Sequence, residues 1–280
     1  MARKRVNYDK KVERKYEQGK GQGELSDYIP FLNVRDFSSL GRTTRVKGWK
    51  TGRVHHLFSD LETYMFYTLE WRDDVKDIRE QCPIPLERTL AIAEAMKVKH
   101  PQVATYTQEK KRMMTNAVMT TDFLVTLQDG TIEKLIAISV KYLSDLTRRT
   151  LEKIEIEKRN YMDLNVEFVL ATEKDIPLVL AENVKKLHKK RNIHERLDYS
   201  DEKIMKIAKV LTDLVLNNQK PLSDLCLSCD DLLGLRLGDS LSIAYYLIAT
   251  KRWQIDMNVA LEPYKQLHLI GISLPDSFPV

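Results

Sequence analysis

Residues 120–142, TTDFLVTLQDGTIEKLIAISVKY, restrict the fold of this chain more than any other stretch. Two apolar runs flank Asp129-Gly130, and Asp-Gly is favoured where both residues of a tight turn need φ > 0, so the segment reads as a β-hairpin. If those two residues form the loop, Gln128 faces Thr131 and the register follows from that pair. Side chains alternate faces along a strand, which puts Asp122, Ala137, Ser139 and Lys141 on one face. The other face then carries Phe123, Val125, Leu127, Ile132, Ile136, Ile138 and Val140 as core. A turn one residue longer would break this parity. A carboxylate and an ammonium placed in strands of Phe, Leu, Val and Ile are what the rest of the chain must account for.

The 280 residues suffice for two domains, each with its own core. With 43% hydrophobic and 30% charged residues, the composition is that of a soluble globular chain. No apolar run approaches the roughly 18 residues of a membrane span. The basic N-terminus has no apolar stretch after it, so no signal peptide is read. Three cysteines, Cys82, Cys226 and Cys229, suit a reducing compartment better than a disulfide framework. The expectation is a cytoplasmic protein without a membrane association. Residues 1–20 hold eight Lys or Arg against three Asp or Glu, which is the whole net charge of +5. Such a segment is either a solvated tail or an arm that tracks nucleic-acid phosphates, with Arg3, Lys4, Arg5, Lys10 and Lys11 as its contacts.

Along the chain, GKGQG at 19–23 lacks the G-K-[S/T] ending of a phosphate loop and reads as a flexible connection. RVHHLF at 53–58 reads as a strand, SDLETYMFYTLEW at 59–71 as a helix, and VKDIREQCPI at 75–84 as a strand closed by prolines. Residues 86–116 begin as a helix and become a polar, basic loop ending in EKKRMMTN. After the hairpin come a helix over about 147–162 and a short apolar strand at 166–171. Beyond TEKDIP, at 172–177, helices predominate. Ile204, Ile207, Ala208, Leu211, Leu214 and Val215 form a buried helical stripe, 237–253 gives another helix, and WQIDMNVAL alternates as a strand should. The predicted organisation is an α/β domain at 1–172, a mixed sheet flanked by helices, and a smaller, mainly helical, winged-helix-like domain at 173–280.

Ser59-x-x-Glu62 has the form of a capping box, in which Glu62 reaches back to the helix start. Asp122 alone could be an edge-strand charge, and Lys141 alone could snorkel to solvent. Together, a Glu on a helix, an Asp on a strand and a Lys two residues after a small polar residue on the paired strand match the D…(E/D)-x-K pattern of the restriction-endonuclease fold. Two carboxylates that converge would repel unless a cation sits between them, and Mg²⁺ is the hard, oxygen-seeking cation for such a site.

The surrounding text is more specific. DYIPFL (27–32), KTGRVHHLFSDLE (50–62), DIREQ (77–81), TTDFLV (120–125), AISVK (137–141) and RTLEKIEIEKR (149–159) together resemble the TnsA family, endonuclease subunits of heteromeric transposases of bacterial cut-and-paste transposons. The likeness runs from about residue 19 to 172. It implies a restriction-endonuclease-like domain with catalytic Glu62, metal-binding Asp122 and catalytic Lys141. It further implies a divalent cofactor, Mg²⁺ with Mn²⁺ as substitute, and cleavage of the 5′ strands of transposon-end DNA. The partners it implies are a TnsB-type transposase acting on the 3′ ends and a TnsC-type ATPase docked by the C-terminal domain.

One departure bears on the ligand set: the position two before the lysine, usually Glu or Gln, is Ser139. Its hydroxyl could approach a metal only weakly or through water, and the backbone carbonyl of Val140 is a further candidate ligand. Glu152 and Glu155 on the next helix are either a supplementary ligand or solvated charges paired with Lys158 and Arg159. Cys226-Leu-Ser-Cys229 has zinc-like spacing without a second pair. Of His55 and His56, one must face the core and the other away. Two rivals stay open: a stand-alone restriction or repair nuclease, and a non-catalytic DNA-binding adaptor with Ser139 as the first sign of decay.

Overall fold

The strands expected at 75–84 and 120–140 lie side by side in one sheet of the computed structural model. It describes residues 8–34, 42–106 and 111–274. The chain divides into two units, Met1–Ile176 and Pro177–Val280. The first is built, in chain order, from α1 (Tyr8–Glu17), β1 (Thr44–Lys47), β2 (Val54–Leu57), α2 (Asp60–Trp71), β3 (Val75–Pro83), α3 (Leu86–Ala95), β4 (Gln102–Tyr106), β5 (Arg112–Asn116), β6 (Thr120–Asp129), β7 (Ile132–Val140), α4 (Arg148–Asp163) and β8 (Glu167–Ala171).

The central sheet has the order β3-β6-β7-β8. Its first three strands are antiparallel, and β8 is parallel to β7. A parallel neighbour needs a crossover connection, and α4 supplies it. The mixed sheet flanked by helices is thus the predicted architecture. Phe123, Val125 and Ile138 share one face of the sheet and are buried, as are Leu61 and Phe66 of α2. Another part of the core gathers Ile84, Ala137 and Tyr161 with Leu124 and Phe168.

Four expectations are corrected. The hairpin pairs Asp129 with Ile132, so the loop is Gly130-Thr131, one residue further on than Asp129-Gly130. Gly130 alone takes a positive φ, +58°, in the manner of a turn that needs it only at its first loop position. The two registers have the same parity, so the faces are unchanged. Ile132, expected in the core, is 72% exposed because it lies at the hairpin tip beyond the helices. The stretch read as a basic loop instead forms a second hairpin, with Gln102 opposite Asn116 and Tyr106 opposite Arg112. Tyr8 secures it to α1 by donating its backbone N–H to Thr105 Oγ1 and accepting the Val118 N–H at its hydroxyl, both at 2.9 Å. GKGQG is a hydrogen-bonded turn rather than a flexible connection: Gly21 N–H donates to Ile29 O at 2.6 Å, and a side chain at Gly21 would collide with the ring of Pro83.

The second unit is mainly helical, with α5 (Leu178–His188), α6 (Asp201–Asn217), α7 (Leu222–Leu233) and α8 (Asp239–Ala249), followed by a short pair, β9 (Trp253–Gln254) and β10 (Gly271–Ile272). Ser200 caps α6, whose Ile204, Ile207, Ala208, Leu211 and Val215 are buried as the spacing predicts; Leu214 is half-buried. Trp253 is buried, and its indole N–H donates to Thr212 Oγ1 at 3.0 Å. The alternation after Trp253 does not continue as a strand. Those residues turn back over α5, where Asn183 donates to the Met257 and Val259 carbonyls and accepts the Leu261 N–H. No helix among the described residues is long and apolar enough to cross a membrane.

Candidate active site

The β6–β7 ladder stops at Phe123↔Ile138, one pair short of Asp122 and Ser139. The Val140 N–H is therefore not spent on β6 backbone and donates to Asp122 Oδ2 at 2.7 Å. Lys141 Nζ donates to the same oxygen at 2.7 Å and to the Val140 carbonyl at 2.9 Å. Ser139 is buried, and its hydroxyl approaches Asp122 Oδ2 at 3.5 Å. The opened ladder thus gathers Asp122, Ser139, Val140 and Lys141 at one point. Burial pulls the Lys141 pKa down, but the charge and hydrogen bond of Asp122, with Glu157 and Glu62 behind them, outweigh it and hold the ammonium protonated.

Glu62 comes to this point from α2. Ser59 is the N-cap, its hydroxyl accepting the Glu62 N–H at 3.0 Å. The Glu62 carboxylate reaches back to the Phe58 N–H at 3.0 Å and the Ser59 hydroxyl at 3.2 Å. The cap is thus present, and the Glu62 carboxyl also feels the charge of Asp122. Glu62 is 6% exposed. Burial first, and then the charge of Asp122, push its carboxyl up to about 7, against the lowering effects of Phe58, Lys141 and Ser59.

Sequence reasoning missed Glu157. It lies on the buried stripe of α4 with Ile154 and Tyr161, and is 5% exposed. Burial and the charge of Asp122 hold its carboxyl at about 8, while the Thr121 and Ser139 hydroxyls and Lys141 pull the other way. Its Oε1 is buried without a hydrogen-bond partner among the described residues. The signal was a Glu three residues after Ile154 and four before Tyr161, a charge on an apolar helical stripe. Glu152 and Glu155 take the solvated alternative. Glu152 pairs with Arg149 at 2.8 Å and Arg148 at 3.4 Å, and Glu155 with Arg159 at 2.8 Å.

The histidines divide as β2 requires. His55 is fully buried, 2.8 Å from Glu80 Oε2 through Nδ1 and 2.7 Å from Thr51 Oγ1 through Nε2; His56 is half-buried. Arg53 clamps Glu80 with both guanidinium nitrogens, at 2.8 and 2.6 Å. Burial works against the Glu80 charge, yet His55 and Arg53 bring its carboxyl down to about 2. Cys226 and Cys229 are free and buried on α7. Among the described residues no three His, Cys, Asp or Glu side chains are grouped to hold a metal ion by themselves. Lys10 and Lys11 are exposed on α1, whereas Arg3, Lys4 and Arg5 lie outside the described residues.

Comparison with known proteins bears on both units of the chain. Residues 72–173 match the family model described as TnsA-like endonuclease N terminal, and 175–257 the one described as TnsA endonuclease C terminal. The chain is 37% identical over 232 residues to the transposon Tn7 transposition protein TnsA of Escherichia coli, covering 82% of this chain and 80% of that protein. An opened strand pair holding Asp122 and Lys141, a buried Glu62 on the facing helix, and matches to both halves of one family lead to the same statement: this chain belongs to the TnsA endonuclease family.

Proposed function

We propose that the protein is a divalent-metal-dependent DNA endonuclease that cuts the 5′ strand at each transposon end, with Glu62, Asp122, Glu157 and Lys141 at its centre. The observation that carries this reading is the position of Lys141 Nζ, which bridges Asp122 Oδ2 and the Val140 carbonyl. An ammonium there stands where a cation shared by those two oxygens would bind. Glu157 Oε1, buried without a hydrogen-bond partner among the described residues, and the Glu62 and Glu157 carboxyls, raised by burial and by the charge of Asp122, mark a site where an entering cation would favour their ionised forms. These donors are all oxygen, as Mg²⁺ or Mn²⁺ requires, with water and phosphate oxygens left to complete the coordination. Glu157 supplies the carboxylate that is missing at Ser139.

A bound divalent cation would neutralise charge on the phosphate and leaving oxygen and acidify a water nucleophile. The residues do the rest. Asp122, tied to the Val140 N–H, is fixed in direction. Lys141, which now pairs with Asp122, would yield that place to the cation and, still charged, orient a phosphate oxygen or the attacking water. Glu62, anchored by the helix cap, cannot swing out of the cleft. Water adds to phosphorus and one P–O bond of the phosphodiester breaks.

By family resemblance the setting is cytoplasmic, a TnsB-type transposase processes the 3′ ends, and the C-terminal unit docks a TnsC-type ATPase. The test is strand-specific cleavage of end-labelled transposon DNA by the reconstituted transposase. Wild-type protein should cut the 5′ strand in Mg²⁺ and not in EDTA. Cutting that is indifferent to EDTA would contradict the metal-dependent reading.

A further inference from the structure

Gln81 is the one buried residue other than glycine that adopts a positive φ among the described residues, at +51° and 5% exposed. The other four, Leu25, Lys97, Asn165 and Lys251, sit at turns or just past helix ends and are not buried. Gln81 instead interrupts β3 in mid-strand. It stands between the pairs Glu80↔Phe123 and Cys82↔Thr121, and so lies across from Asp122. A left-handed conformation inside a strand is disfavoured for a side chain of this size, and glycine would adopt it without strain. Strain of this kind gathers at functional sites. A strained glutamine beside the carboxylate that anchors the centre therefore points to a role for its side chain.

The side chain is oriented. Gln81 Oε1 accepts the Thr120 hydroxyl at 2.9 Å, which ties one end of the amide to β6 and leaves the NH₂ group at the other end turned elsewhere. That NH₂ has no hydrogen-bond partner among the described residues. Thr120 is two residues before Asp122 on β6, so the amide is held by the strand that carries the acid.

We propose that Gln81 is a phosphate-orienting residue, whose Thr120-fixed amide donates its N–H to a non-bridging oxygen of the phosphate bound beside Asp122. This rests on the endonuclease reading above. A neutral donor suits the position, because it steadies the phosphate without competing with Lys141 for Asp122.

Gln81→Gly and Gln81→Glu separate the side chain from the backbone. Glycine keeps the left-handed conformation and removes the amide; Glu keeps the bulk and the acceptor for Thr120 and replaces the donor by a charge. Gly should retain or exceed the wild-type melting temperature, and Glu should match wild type at about pH 5.5 and melt lower at alkaline pH, where a further buried carboxyl across from Asp122 is penalised. In the reconstituted transposase both should lower the cleavage rate at saturating DNA about 10-fold or more, as loss of one oriented donor does, with less change in half-saturation. Wild-type cleavage by Gln81→Gly would overturn the proposal and leave Gln81 a backbone feature. If Gly fails to fold, Gln81→Glu decides, and full activity there overturns the proposal equally. Asp122→Asn is run beside them. If it too cleaves normally, the endonuclease centre itself is misplaced, whereas an inactive Asp122→Asn with an active Gln81→Gly rejects only the role of Gln81.

Discussion

Asp122 Oδ2 accepts the Val140 N–H at 2.7 Å at the point where the β6–β7 ladder has ended, so one carboxylate oxygen replaces a strand hydrogen bond and pairs with Lys141 as well. Asp122 thus closes the sheet locally and anchors the site. Asp122→Asn keeps an acceptor for the buried Val140 N–H, whereas Asp122→Ala leaves that donor unsatisfied, at about 1–3 kcal/mol. Asn should therefore melt close to wild type and Ala lower. Both should lose 5′-strand cleavage, by at least about 100-fold. Melting curves and cleavage on the same preparations check this.

Glu62 and Glu157 give the metal-free protein a pH signature. Both carboxyls titrate higher in the fold, at about 7 and about 8, than the ordinary Glu value of 4.5. Between those limits the folded state holds more protons than the unfolded one, so stability falls as pH rises. Their contribution is fully present below about 4.5 and is lost as pH passes 7 to 8. The melting temperature in EDTA should drop from pH 5.5 to 8.5, and Mg²⁺ should restore more of it at the alkaline end.

Glu62→Gln separates the two roles of one side chain. The amide oxygen still accepts from the Phe58 N–H, so the cap should lose less than about 1 kcal/mol. Removing a buried charge beside Asp122 should make the metal-free variant at least as stable as wild type at pH 8, while cleavage collapses. A destabilised variant with intact cleavage would leave Glu62 as a cap alone.

Three glutamates on α4 provide an internal control. Glu157→Gln should lower cleavage by at least about 10-fold and flatten the pH dependence of melting. Glu152→Gln and Glu155→Gln, whose partners are surface arginines, should change stability by under about 1 kcal/mol and leave cleavage unaltered. Equal effects at all three positions would argue against a distinct role for Glu157.

Glu80 is a buried charge of another kind, clamped by Arg53 and His55. Glu80→Ala strands the Arg53 guanidinium, which is 8% exposed, and should destabilise the fold by about 3–5 kcal/mol in urea titrations. Mg²⁺ affinity of the folded fraction should not change.

The legible part of the site was what interrupted a local pattern. Asp122 and Lys141 break an apolar alternation, and parity placed them together even though the register slipped by one loop residue. That slip was not readable, because Asp129-Gly130 serves two turns, only one of which needs φ > 0 at Asp129. Glu62 was legible as an either/or, since spacing cannot say that a cap also faces a second carboxylate. Glu157 was hidden among three glutamates of one helix, and only the face that packs on the sheet distinguishes it. The hairpin at 102–116 was lost because EKKRMMTN reads as a polar loop, while its pairing depends on α1, far away in the chain. Gln81 has no local signal at all, since a glutamine does not announce a left-handed backbone.

The most direct test of the central claim, that these carboxylates form a divalent-cation site, is calorimetric titration of Mn²⁺ into the metal-free protein at pH 7 in buffers of different ionisation enthalpy. The account predicts binding with proton release, because Glu62 and Glu157 are partly protonated there and must ionise as the cation enters. It also predicts affinity at least about 10-fold weaker in Asp122→Asn and Glu157→Gln. Binding of equal strength in both variants, or no binding to wild type, would contradict it.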